Sequence, residues 1–444
     1  MATPAAPPGL DAPAAAAAAP IASWRQGVSY GALGLPLAFV ALPLYVVLPN
    51  HYATEHGVPL AALGLLLLGT RLFDAVTDPW IGRWIDRWFA HSDARVLLAA
   101  LLAAAATAVG FHGLFFPPAQ VQGLTALLLW CGALLIWTYL AYSVLLVMHH
   151  AWGARLGGTP GQRARVVAWR EGFTLAGVLV ASVLPALAGL GVASAVFAAT
   201  LAAGLALLTQ APRTAATPAA ALRASALPTL PLTLPLRDPA FRRLLAIFLV
   251  NGIAAAVPAT LVLFFIRDRL EAPAWEPLFL FAYFAAAALS MPLWVRAVPR
   301  FGLARAWLAG MLLAVVTFVW AATLGAGDVA AFVIVCLASG FALGADLALP
   351  GALLAGVIQR AGRSGRAEGA YFGWWGFTAK LNLALAAGLA LPLLQVFGYT
   401  PGSRDPDALL ALTLAYCVLP CLLKLAAAVL LHRLWLRHPG GSKE

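Results

Sequence analysis

The sequence predicts an all-α membrane protein with about twelve transmembrane helices. Of its 444 residues, 62% are hydrophobic and only 10% are charged, against roughly 25% charged residues in ordinary soluble domains. The mean hydropathy is +0.88. The third observation is that apolar runs recur along the whole chain at roughly the 20 residues that one bilayer crossing requires.

The predicted spans are numbered 1 to 12 in chain order. Their boundaries are 28–50, 58–82, 96–116, 122–150, 166–188, 190–209, 242–266, 274–298, 303–324, 328–357, 369–396 and 407–434. The remaining segments are predicted to be cytoplasmic: a disordered Ala/Pro-rich tail (1–27), a linker between two six-helix halves (210–241) and a short tail (435–444). The halves themselves cover 28–209 and 242–434.

The net charge of +11 reflects membrane topology. Four of the 28 Lys and Arg are predicted to lie in the membrane interior, three lie in one set of loops, and the other 21 lie toward the opposite side, including span ends, and at both termini. This bias is the positive-inside rule, which places both termini in the cytoplasm. A nucleic-acid partner is therefore not expected.

Prolines interrupt spans 1 and 7. Span 1 carries Pro36 and Pro43, and span 7 carries Asn251 and Pro258. Proline in a membrane helix is tolerated where neighbours or a cavity satisfy the freed carbonyl groups. The pattern is consistent with cavity-lining helices and equally with plain kinks.

Span 2 carries the strongest functional signal, an arginine and two aspartates in an otherwise apolar segment. Arg71, Asp74 and Asp78 follow the spacing i, i+3, i+7, which places them along one helix face. An ionisable group at mid-membrane costs roughly 2.5–3.5 kcal/mol on insertion scales and is normally kept for a function. Their shared face is expected to look inward, and the following Gly82–Arg87 segment is predicted to form a short basic turn.

Part of span 2 recurs in span 8. At a constant offset of 213, Pro79, Arg83 and Arg87 correspond to Pro292, Arg296 and Arg300. Residues are expected to recur at a constant offset in this way when two six-helix halves are parallel structural repeats. At the same offset Ala287 and Met291 stand where span 2 has its two aspartates. The helical framework of span 2 is therefore predicted to recur in span 8, whereas the two aspartates are not repeated there.

Spans 5 and 11 also carry buried charge. Lys380 lies near mid-membrane, twelve residues after Glu368, and a buried lysine requires an anion such as Asp74 or Asp78. Arg170 is predicted either to face the cavity or to extend to the cytoplasmic interface. Its neighbour Glu171 lies about 100° around the helix and is therefore expected to face a different partner.

Four further ionisable positions are interpreted more simply. Asp346 in span 10 is a partner for Lys380 or Arg170, or a separate proton site. Lys424, between leucines in span 12, is expected to be an interfacial anchor. His149 and His150 are expected at the inner membrane interface.

Two motifs carry a resemblance to known transporters. The Gly82-x-x-x-Asp86-Arg87 segment resembles the loop signature of the major facilitator superfamily. The preceding Asp74-x-x-x-Asp78-Pro79 resembles the helix 2 signature of the glycoside-pentoside-hexuronide cation symporters. The resemblance implies the major facilitator fold, cation-coupled transport, a lysine beside the aspartate pair at Lys380, and a sugar-contacting arginine at Arg170.

The predicted cation-coupling residues are Asp74, Asp78 and Lys380, and the two aspartates are metal ligands only if the coupling ion is Na+. The predicted substrate-binding residues are Arg170, Tyr142, Ser143, Trp375 and Asp346. The aromatic candidates Trp137, Tyr142, Trp374 and Trp375 are predicted either to stack on a flat substrate or to pack. Most polar sugar ligands of the family are missing, because their positions fall on Pro36, Leu140 and Ser143. This departure favours H+ over Na+ and argues against a galactoside substrate.

The predicted function is a cation-coupled secondary transporter of a small organic solute, with sugars and glycosides as candidates, acting by alternating access. One alternative is a transporter of a less polar or amphipathic, lipid-like substrate, and another is a non-transporting membrane receptor or assembly factor. An enzyme is not expected, because no nucleophile set, histidine cluster or phosphate loop occurs. We expect no cofactor besides H+ or Na+ as coupling ion, a functional monomer, and a multi-pass location in a bacterial inner membrane.

Overall fold

The computed structural model describes residues 21–41, 43–213, 231–399 and 402–437, and twelve long helical segments occur among them. The first, α1, is broken into Trp24–Gly31, Gly34–Phe39, Pro43–Val47 and Leu48–His56. The others are α2 (Leu60–His91), α3 (Asp93–Phe115), α4 (Leu124–Arg155), α5 (Pro160–Pro185), α6 (Leu187–Leu208), α7 (Pro239–Arg269), α8 (Glu276–Phe301), α9 (Leu303–Ala321), α10 (Val329–Arg360), α11 (Glu368–Val396) and α12 (Pro406–Leu436).

Each predicted span corresponds to one of these helices, and the all-α membrane fold is confirmed. Within the described residues, nine helices, α3 to α10 and α12, are each long and apolar enough to cross a membrane. Residues 1–20 of the predicted tail, 214–230 of the predicted linker and 438–444 of the predicted C-terminal tail lie outside the described residues.

Two boundaries differ from the sequence prediction. The α1 helix begins at Trp24, inside the predicted tail, because Ser23 and Gln26 form a reciprocal capping box. The predicted turn formed by Gly82, Asp86 and Arg87 is wrong in its local structure, since α2 continues as a helix to His91. No residue between Gly82 and His91 is a strong helix breaker, and Asp86 is bound by a neighbouring helix.

Equivalent helix pairs pack in the two halves. In the first half α1 contacts α5, and α4 contacts both α2 and α3. In the second half α7 contacts α11, and α10 contacts both α8 and α9. The same packing pattern six helices apart defines two six-helix halves, as the repeat of Pro79 and Pro292 predicts.

The two halves meet most closely where α2 crosses α11. A Cβ on Gly82 would lie 2.0 Å from the Gly369 carbonyl oxygen, and a Cβ on Gly373 would lie 2.6 Å from the Asp78 carbonyl oxygen. Only glycine permits such an approach between backbones, as in other membrane helix pairs with small residues at the contact.

Polar contacts close the same end of the interface, which is the end predicted to be cytoplasmic. The first amides of α11 donate to α2: Gly369 N–H to Asp86 Oδ1 at 2.7 Å and Ala370 N–H to Asp86 Oδ2 at 2.8 Å. Nearby, Arg155 of α4 forms an ion pair with Glu368 at 3.3 Å. Free amides and the positive dipole at a helix start favour a carboxylate there.

At the opposite end, the described polar contacts stay within one half. His51 contacts the Phe115 carbonyl group at 3.1 Å. In the other half, the Tyr399 hydroxyl and the Gly402 N–H both donate to Asp268. The structure therefore corresponds to an arrangement whose halves are joined at the predicted cytoplasmic end.

Replacing Gly82 by leucine is expected to separate α2 from α11. Its side chain would collide with the Gly369 backbone, and overpacking of this kind costs about 1–3 kcal/mol or more. We expect a lower apparent melting temperature and greater cysteine accessibility at the crossing. Gly64→Leu is the matched control on the same helix, because a Cβ there meets no atom within 4 Å. Equal effects of both substitutions would contradict the crossing.

Candidate functional site

A cavity of about 360 Å³ lies between the two halves. Helices of both halves contribute to its lining: α1, α2, α4 and α5 from the first half and α7, α10 and α11 from the second. Its volume falls within the range of small-molecule sites. The predicted positions Asp74, Tyr142, Arg170, Asp346, Trp375 and Lys380 all line it.

The centre of the site is an ion-pair cluster that joins α2 to α11. Lys380 Nζ lies 2.8 Å from Asp74 Oδ1 and 2.8 Å from Asp78 Oδ1. Both aspartates are buried, with 2% and 0% of their surface exposed. One ammonium group from the second half is therefore shared by two carboxylates from the first half.

Ser143 of α4 completes this cluster. Its hydroxyl donates to Asp74 Oδ1 at 2.7 Å and accepts a hydrogen bond from Lys380 Nζ at 2.8 Å. The side chain is fully buried. Ser143, predicted to contact substrate, is thus placed by the structure among the charged groups.

Among the described residues, none donates a hydrogen bond to the second oxygen of Asp78. Asp78 Oδ2 is buried and unpartnered, and a Cβ on Gly376 of α11 would lie 2.7 Å from it. Glycine at this position lets α11 approach the carboxylate without covering that oxygen with a side chain. A buried carboxylate oxygen without a donor can accept a proton or coordinate a cation.

When ionised, the two carboxylates and the one ammonium carry a net charge of −1. Arg71 lies one helical turn away, half-buried, and its guanidinium stacks over the Tyr139 ring at 5.2 Å from the ring centroid. Arg71 faces the cavity, so all three charged residues of span 2 look inward.

Arg170 is buried and lines the cavity, so it does not extend to the membrane interface. Its guanidinium binds the adjacent Glu171 carboxylate at 2.7 and 2.9 Å. The sequence prediction did not include this pair; both side chains are long enough to meet despite the angular separation of their Cβ atoms. Arg170 Nη2 also lies 3.6 Å from a Cβ position on Gly351 of α10.

Asp346 pairs with Lys424 and not with Lys380 or Arg170. Lys424 is buried and its ammonium binds Asp346 Oδ2. The other oxygen, Oδ1, accepts hydrogen bonds from Trp307 Nε1 at 2.7 Å and Asn251 Nδ2 at 3.2 Å. The prediction that Lys424 is an interfacial anchor is therefore wrong, because its four-carbon stem extends into the interior of the second half toward the largely buried Asp346.

The aromatic candidates separate into two groups. Tyr142 and Trp375 line the cavity, and Trp375 stacks on Phe248 with ring centroids 3.6 Å apart. In contrast, Trp137 is 56% exposed on the outer surface and Trp374 Nε1 donates to the Leu232 carbonyl oxygen. Only the first group can contact a solute in the cavity.

The two histidines at the end of α4 both face the protein interior. His149 is buried, its Nε2 lies 2.8 Å from the Tyr30 carbonyl oxygen, and His150 lines the cavity. Among the described residues, no group of three or more His, Cys, Asp and Glu could hold a metal ion.

Comparison with known proteins places this arrangement in a family. A family model described as MFS/sugar transport protein matches residues 29–437. The chain belongs to this family, within the major facilitator superfamily. A comparison with functionally curated proteins gives no significant match.

Solved structures share the fold at low sequence identity. A bacterial homologue of the iron transporter ferroportin in the outward-facing state aligns with a TM-score of 0.65 and 18% identity, over 92% of this chain and 100% of the other. The transporter FucP in the outward conformation aligns at 0.59 and 14%, over 90% and 98%. The human organic anion transporter MFSD10 (TETRAN) aligns at 0.58 and 19%, over 90% and 99%.

Removing the shared ammonium is expected to destabilise the protein. Lys380→Met leaves two buried carboxylates without their cation, and breaking a buried pair costs about 3–5 kcal/mol. We expect a large fall in apparent melting temperature, partly recovered by adding Asp78→Asn because one buried charge is then removed. The measurement is a thermal-unfolding double-mutant cycle.

The control for this cycle is Arg433→Met, at an exposed position of α12. It is expected to change the melting temperature little. Strictly additive effects of Lys380→Met and Asp78→Asn would show that the two residues do not interact.

Proposed function

We propose that this protein is a cation-coupled secondary transporter of a small organic solute. Asp74, Asp78 and Lys380 bind the coupling cation, and the cavity beside them binds the solute. The resemblance of Asp74-x-x-x-Asp78-Pro79 in α2 to the helix 2 signature of the glycoside-pentoside-hexuronide cation symporters supports the same assignment. The proposal places the protein in a bacterial inner membrane as a monomer with both termini in the cytoplasm.

The observation that carries the proposal is the unequal charge at the centre. Two buried carboxylates share Lys380, and Asp78 Oδ2 lacks a donor. By contrast, Arg170 with Glu171 and Asp346 with Lys424 are matched pairs of one acid and one base. Among these three ion-paired groups, only the central one has two acids in contact with a single base, so a bound cation would balance the second carboxylate at the contact itself; Arg71, over the Tyr139 ring, is the nearest further cation.

Cation binding is expected to weaken the hold of Lys380 on the carboxylates. A proton on one carboxylate, or Na+ between both, replaces part of the counter-charge that the ammonium supplies. We favour H+, because Na+ needs several oxygen ligands and the position that supplies one in similar symporters falls on Leu140. When no cation is bound, the Lys380 ammonium takes the place of the cation beside the two carboxylates and offsets part of their negative charge.

The location of the cluster links cation binding to the side of the membrane on which the cavity is open. The carboxylates belong to the first half and Lys380 belongs to the second, so the charge state of the site alters the attraction between the halves. If solute binds best to the cation-loaded form, the two ligands are thermodynamically linked. Alternating access then follows from rocking of the halves around the central site.

The cavity supports a solute with both polar and apolar surface. Arg170 and Glu171 offer hydrogen-bonding groups beside the Tyr142 ring. Apolar side chains of both halves complete the lining, including Val40, Leu146 and Leu383. The apolar part of the lining favours an amphipathic, lipid-like solute as the second candidate beside sugars and glycosides. A receptor that transports nothing would have no need for the cation cluster.

The test is gradient-driven uptake into proteoliposomes. A thermal-shift screen of sugars, glycosides, uronates and amphipathic solutes first supplies a ligand, which is then followed under an imposed H+ or Na+ gradient. Asp74→Asn and Asp78→Asn are expected to reduce accumulation by about tenfold or more, while exchange of labelled for unlabelled solute continues. The reason is that each variant removes a cation-binding carboxylate.

Asp407→Asn is the matched control, because Asp407 is an exposed acid at the start of α12. It should accumulate solute like the unmodified protein. Full gradient-driven accumulation by both Asp74→Asn and Asp78→Asn would refute cation coupling at this site.

A further inference from the structure

A second, larger cavity opens at the side of the protein. This lateral groove, of about 590 Å³, is lined by the start of α1, by α5 and by α8. Its walls come from both halves, since α1 and α5 belong to the first half and α8 to the second. The transport site does not include any of its lining residues.

Two arginines line the groove, one from each half. Arg165 lies near the start of α5 and Arg296 near the end of α8, both toward the predicted cytoplasmic end of the bundle. Both are exposed. Neither forms a hydrogen bond or an ion pair with another described residue, which distinguishes them from Arg155, Arg170 and Arg267.

Apart from Ser23, the side chains that line the rest of the groove are mainly apolar; Phe173 is half-buried and Met291 is buried. Phe173 and Met291 line opposite walls. Gly172 leaves the space between them open, because a Cβ at this position meets no atom within 4 Å. At the first turn of α1, Trp24 is 66% exposed, which is typical of aromatic side chains at the membrane–water boundary.

We propose that the lateral groove binds an anionic phospholipid of the cytoplasmic leaflet. The headgroup phosphate lies between Arg165 and Arg296, which donate charge-assisted hydrogen bonds to its oxygens. An acyl chain occupies the trough beside Gly172, Phe173 and Met291. Basic pockets between transmembrane helices on the cytoplasmic side are known to select anionic headgroups, and the two unpaired guanidinium groups provide that selectivity here.

A lipid at this position also acts on the conformation of the protein. Since the two arginines belong to different halves, one phosphate joins α5 to α8 in the arrangement closed at this end. A ligand that binds one conformation better than another shifts the equilibrium toward it. The bound lipid therefore stabilises the closed cytoplasmic end, independently of which cation or solute is transported.

The experiment uses the full chain, delipidated in detergent and titrated with phosphatidylglycerol, phosphatidylcholine or glycerol phosphate. Native mass spectrometry and the apparent melting temperature report binding. We expect phosphatidylglycerol alone to bind and to raise the melting temperature, and Arg165→Gln with Arg296→Gln to weaken its binding by about tenfold or more. Gly172→Phe, which keeps both arginines and fills the trough, is expected to have the same effect.

Arg95→Gln with Arg305→Gln is the matched control, with one exposed arginine from each half outside the groove. This variant should bind phosphatidylglycerol like the unmodified protein. Equal loss in both double variants would show that only general surface charge matters. Binding of glycerol phosphate as strong as that of the lipid, or undiminished lipid binding in Gly172→Phe, would also overturn the proposal.

Discussion

The structure depends on one ammonium group held between two carboxylates. Lys380 crosses from α11 to contact Asp74 and Asp78 of α2 at 2.8 Å each. Burying these three charges in a membrane is costly unless they satisfy one another. The cluster therefore fixes the register of α2 against α11, and the excess acid makes its stability depend on what cation is present.

The backbone contacts around this cluster explain how a change of charge can move whole helices. The Gly82–Gly369 and Gly373 contacts bring α2 and α11 together without intervening side chains, and Asp86 binds the first amides of α11. If the ion pairs of Lys380 weaken, the crossing of α2 and α11 is held mainly by the hydrogen bonds of Asp86 at the predicted cytoplasmic end. A packed interface of this kind switches between discrete arrangements more readily than it deforms continuously.

The sequence was informative about the positions of the long helices and about which face of α2 carries charge. Hydropathy predicts every helix, and the i, i+3, i+7 spacing predicts that Arg71, Asp74 and Asp78 share an inward face. The Asp346–Lys424 pair was missed because leucines flank Lys424 as they flank an interfacial anchor, and spacing does not show which face looks inward. The Arg170–Glu171 pair was missed because helical angles describe Cβ directions, while long side chains bend toward each other. The lateral groove depends on the packing of α1, α5 and α8, which no local pattern encodes.

The central claim is that the cluster of Asp74, Asp78 and Lys380 binds one cation. It is tested most directly by counting protons and Na+ taken up by the purified protein without any solute, as pH is lowered or Na+ is added. The account predicts that the unmodified chain binds one cation more than the Asp78→Asn variant. Identical uptake by the two proteins would contradict it.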